Sequence, residues 1–70
     1  MLFRSIPAEV KQALLAREMQ EWQQAAYILA VRYRVQVKVG ADAKVLEMLT
    51  AEMERAEKAL DALKAELVAI

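Results

Sequence analysis

The chain has no cysteine and no histidine. Disulfide staples and the usual zinc ligand sets are therefore excluded as supports for so short a fold. The same two absences remove the common nucleophile–base pairs. The only hydroxyl groups belong to Ser5, Thr50, Tyr27 and Tyr33, and no Ser–His or Cys–His couple can be assembled from them. The Glu-x-x-His motif of di-iron carboxylate bundles is ruled out as well. No enzyme activity and no cofactor are expected. One glycine, Gly40, and one proline, Pro7, leave few places where a helix would break.

Long apolar runs are also missing. The longest uncharged stretch, Trp22 to Val31, holds 10 residues including Gln23 and Gln24, well short of a membrane span. At the start, Met1, Leu2 and Phe3 are followed by Arg4, Pro7 and Glu9, so no apolar core of a signal peptide forms and a cytoplasmic location is expected. A net charge of zero gives no overall positive field, which makes the chain a poor general nucleic-acid binder.

What is present points to helices. The hydrophobic fraction is 59%, much of it alanine, alongside Leu, Glu, Lys, Arg and Gln, the residues that lose least on entering a helix. Seventy residues bury only about 60% of the surface the unfolded chain exposes, and one core of that size contributes roughly 3–5 kcal/mol. With disulfides and zinc excluded, a partner subunit is the expected supplement. The charges are unevenly spread. Residues 1–40 hold six bases against three acids, a net +3, and residues 41–70 hold four bases against seven acids, a net −3. The two parts attract if they fold together.

The expected architecture is all-α: an antiparallel, coiled-coil-like two-helix hairpin in a single domain spanning residues 1–70, assembling into a helical bundle. Ser5 is the candidate N-cap of the first helix, with Ile6 and Pro7 opening its first turn, and the helix is expected over about 6–38. Gly40 stands where a C-cap needs a left-handed residue. Asp42 is the candidate N-cap of a second helix over about 43–69, with a turn at 39–42.

Both helices carry a heptad seam. In the second, Leu46, Leu49, Met53, Ala56, Leu60, Leu63, Leu67 and Ile70 follow a 3-4 spacing without interruption. In the first, Leu15, Met19, Trp22, Ala26, Leu29, Tyr33 and Gln36 follow the matching 4-3 spacing. Folding the chain back pairs Leu15 with Leu67, Trp22 with Leu60, Ala26 with Ala56 and Tyr33 with Leu49. All of these pairs share one midpoint, residue 41, inside the turn. The stretch Val31–Val39 competes with this reading. It alternates apolar and polar residues and is rich in β-branched side chains, so on pattern alone it reads as a strand. A lone strand would leave its backbone donors unpaired, and nothing else in the chain could partner it short of another subunit.

The seam leaves apolar residues over. Val10, Leu14, Ala25, Ile28, Val31, Val35 and Val39 form a second stripe on the first helix, interrupted by Arg17, Glu21 and Arg32. Such a stripe marks an interface, and Val10, Leu14, Ile28, Val31 and Val35 are its expected contacts, made with a second copy or with another protein. Beyond the seam, the second helix offers mostly Ala51, Ala59, Ala62, Ala65 and Ala69. Arg32, Arg34 and Lys38, beside Tyr33, are the candidate nucleic-acid contacts, because bases can hold phosphate while an aromatic stacks a nucleobase; their binding would weaken steeply with salt. The same cations also suit a helix C-terminus. Glu52, Glu54 and Glu57 could hold a hard cation, though glutamates on a helix ordinarily form a solvated face. No metal is expected. Met19 and Trp22, at heptad positions, are packing residues before they are a ligand pocket.

Overall fold

The computed structural model describes residues 6–69. It consists of two helices, α1 (Ala8–Lys38) and α2 (Ala43–Ala69), packed against each other as an antiparallel hairpin. No strand occurs among the described residues. Val31 to Lys38 are the last residues of α1, so the strand reading of that stretch does not hold. The physical reason is hydrogen bonding. The β-branched residues cost at most about 0.7 kcal/mol each in a helix, whereas an unpaired strand forfeits every backbone partner.

The start of α1 differs from the sequence expectation by two residues. The N-cap position falls on Pro7, which is extended (φ −62°, ψ 152°) and makes no side-chain capping bond. Its carbonyl accepts the N–H groups of Val10 and Lys11, both at 3.1 Å. Ile6 cannot be helical, because a residue preceding proline is pushed out of the α region. Ser5, the expected cap, lies outside the described residues.

The other end of α1 is closed by a Schellman motif. Gly40 adopts φ 75°. Its N–H donates to Val37 O at 3.2 Å, and the N–H of Ala41 donates to Gln36 O at 2.9 Å, so two of the last carbonyls of the helix are satisfied. Two residues on, Asp42 caps α2: its Oδ1 accepts the N–H of Lys44 at 2.9 Å. Within α2, the Thr50 hydroxyl donates to Leu46 O at 2.9 Å, a local bond that keeps this side chain against its own helix. The reversal of direction is thus made by local hydrogen bonds between Gln36 and Lys44, all of them to the backbone except the one accepted by the Asp42 carboxylate.

The hairpin is a rod of 52 × 19 × 15 Å. Its radius of gyration is 16.2 Å, against about 11 Å for a compact chain of this length. The interior is correspondingly thin. Among the described residues Ala56 alone is fully buried, at 0% exposure. Leu15, Met19, Trp22, Ala26, Leu29, Tyr33 and Gln36 on α1 are half-buried, as are Leu46, Leu49, Met53, Leu60, Leu63 and Leu67 on α2; Ile70 lies outside the described residues. The heptad rows therefore coincide with the covered faces. Each helix shields one side of the other, and among the described residues no third layer shields the edges. Placing an alanine as the most covered residue lets the two backbones approach closely there.

The register follows from what meets across the hairpin. At the free end, Lys11 and Leu15 share an open groove with Glu66 and Ala69. Near the turn, Tyr33 shares another with Leu46 and Thr50. Glu66 stands one residue from Leu67, the partner of Leu15 expected from a midpoint at residue 41, and Thr50 one residue from Leu49, the expected partner of Tyr33.

Candidate functional site

The outer face of α1 is the most conspicuous feature that packing leaves unexplained. Val10, Leu14, Ile28 and Val35 are 45%, 51%, 49% and 51% exposed. Val31 and Ala25 are half-buried at the margin of the seam, and Val39 is exposed beyond the end of the helix. A helix repeats every 3.6 residues, and positions 10, 14, 17, 21, 24, 28, 31 and 35 follow each other at intervals of four and three along one side of α1. Apolar residues occupy the two ends of that row, and Arg17, Glu21 and Gln24 occupy its middle. Arg17 Nε and Glu21 Oε1 lie 3.8 Å apart, one helical turn from each other. Both are well exposed, so this pair contributes at most a few tenths of a kcal/mol in isolation.

Other exposed apolar residues fall outside the expected interface. Tyr27 and Val37 on α1, and Val45, Met48 and Val68 on α2, all reach solvent. The expectation that α2 presents little beyond alanine is thus incomplete. Val45 and Met48 flank Leu46 and Leu49, and their positions between seam residues were the available signal. Val37, Val39, Val45 and Met48 all lie in the residues that flank the turn at Gly40.

Arg32, Arg34 and Lys38 are all exposed, and the one ion pair among the described residues is Arg17–Glu21. At about 100° per residue, Arg34 and Lys38 project within roughly 40° of each other, and Arg32 projects some 200° from Arg34. The three do not form one surface. The opposite net charges of the two parts act only at longer range, with no contact pair between the helices among the described residues. Glu52, Glu54 and Glu57 are exposed, and no group of three potential metal-ligating side chains converges among the described residues. Met19 and Trp22 are half-buried within the seam.

Two grooves run between the helices among the described residues. The one near the turn places Tyr33 and Thr50 beside Glu47 and Glu54, but the Thr50 hydroxyl is already committed to the backbone. Among the described residues no buried side-chain nitrogen or oxygen lacks a hydrogen-bond partner. Among them, too, no helix is long and apolar enough to cross a membrane. The chain matches no protein-family model, no curated protein and no solved structure.

Proposed function

We propose that this hairpin is a non-enzymatic interaction module that associates through the outer face of α1, with a second copy of itself or as a small subunit of a larger assembly. One observation carries this reading: four large aliphatic side chains on one side of α1 remain about half exposed. Complete burial of such a side chain stabilises by about 1.5–3 kcal/mol. Covering the exposed half of four of them contributes several kcal/mol, comparable to what a core this small supplies alone. A second hairpin laid on that face would bring four helices together, with the two α1 helices packed in the middle and each α2 on the far side of its own seam.

The test is to replace Ile28 and Val35 together with Glu and to measure molar mass by sedimentation equilibrium. The parent chain is expected to sediment as a multiple of 7.9 kDa, and the double variant as a monomer that keeps its helical circular dichroism. A double variant with the parent's mass would show that this face is not the interface. Ala62→Glu, on the exposed side of α2, serves as the control and is expected to leave the mass unchanged.

A further inference from the structure

Resting on that reading, we infer that the occupant of the α1 face is a second copy of the chain, packed with its α1 antiparallel, on a two-fold axis that crosses α1 between Trp22 and Gln23. Three observations point this way. The first is area. The hairpin exposes 5834 Å², whereas a compact monomer of its mass would expose about 4,400 Å². The excess is larger than the roughly 800 Å² each partner contributes to a standard interface.

The second is charge. The first part of α1, through Glu21, holds two bases and three acids; its last part holds Arg32, Arg34 and Lys38 and no acid. Packed helices lie about 8–10 Å apart, close to the screening length of physiological salt. A parallel arrangement would set three cations beside three cations. The antiparallel arrangement sets them beside the partner's net negative end.

The third is the row on the outer face. Val10 with Val35, Leu14 with Val31, and Glu21 with Gln24 all share the same midpoint, between Trp22 and Gln23. That point is also within a residue of the centre of Ala8–Lys38, so the two α1 helices overlap along their length. Val10 and Leu14 of one copy then cover Val35 and Val31 of the other, Ile28 lies against the aliphatic stem of the other copy's Arg17, and the Gln24 amide of one copy comes opposite the Glu21 carboxylate of the other. A polar layer of this kind fixes register in helical assemblies.

Because the chain has no cysteine, single cysteines can be introduced and spin-labelled. Ala13 and Gln23 are exposed and lie off the row. Molar mass is measured on each labelled protein, and the label-to-label distance by pulsed electron paramagnetic resonance. A dimer is expected with Ala13→Cys labels about 28 Å apart along the helices, from 1.5 Å of rise per residue, and Gln23→Cys labels clearly closer, separated only by the helix spacing of about 8–10 Å and the reach of the two label arms. A dimer in which both label pairs are equally close is parallel; it overturns the orientation while leaving association through α1 standing. A dimer whose Gln23 labels are far apart uses another face and overturns both. A monomer removes the second copy altogether.

Discussion

The whole architecture turns on Gly40, and the cost of replacing it can be worked out in advance. Its φ is 75°, in the region where an L-residue pays about 1–2 kcal/mol. A Cβ added there meets no atom of the rest of the fold within 4 Å, so the penalty is local to the backbone of the turn, where the Cβ crowds the following carbonyl oxygen. Against it stands the lower entropy of the unfolded chain when glycine is replaced, which returns about 0.4–1 kcal/mol. Gly40→Ala is therefore expected to destabilise the hairpin by about 1 kcal/mol, lowering the thermal midpoint by about 4–8 °C for a chain of this size. Gly40→Asn should lose less, because asparagine tolerates the left-handed region, even though it fills more space. Thermal unfolding followed by circular dichroism at one fixed protein concentration provides the comparison, since association makes the midpoint concentration-dependent. Were the Ala variant to melt with the parent, or the Asn variant to melt below the Ala variant, the backbone explanation of this turn would be refuted.

Two further outcomes are expected at the seam and the second cap. Ala56→Leu places a large side chain where exposure is 0%, prising the helices apart at a cost of about 1–3 kcal/mol, whereas Ala62→Leu on the exposed side of α2 should stay within about 0.5 kcal/mol of the parent; urea unfolding reads both. Asp42→Ala deletes the acceptor of the Lys44 N–H and should cost about 1 kcal/mol, while Asp42→Ser, which restores a capping oxygen, should recover most of it.

Much of the fold was legible because its causes are local or periodic. Gly40, Asp42 and the unbroken 3-4 spacing from Leu46 to Leu67 act through the geometry of a single helix end or a single helix face, and neither depends on distant contacts. The start of α1 falls at Ala8, two residues after the expected start near residue 6, because proline restricts the residue before it. Val31–Val39 was ambiguous for a deeper reason. Its side chains favour a strand and its backbone needs a partner, and propensity alone cannot weigh one against the other.

By itself, the sequence determined that two helices form, where the chain reverses, and which row of each helix is apolar. Only the tertiary structure decided how much of each apolar row is covered. Two helices can shield one face apiece, so Ala56 is sealed, the leucines remain half open, and Val10, Leu14, Ile28 and Val35 stay outside. Periodicity identifies a face, but burial depends on how many neighbours exist to cover it, and a hairpin supplies only one.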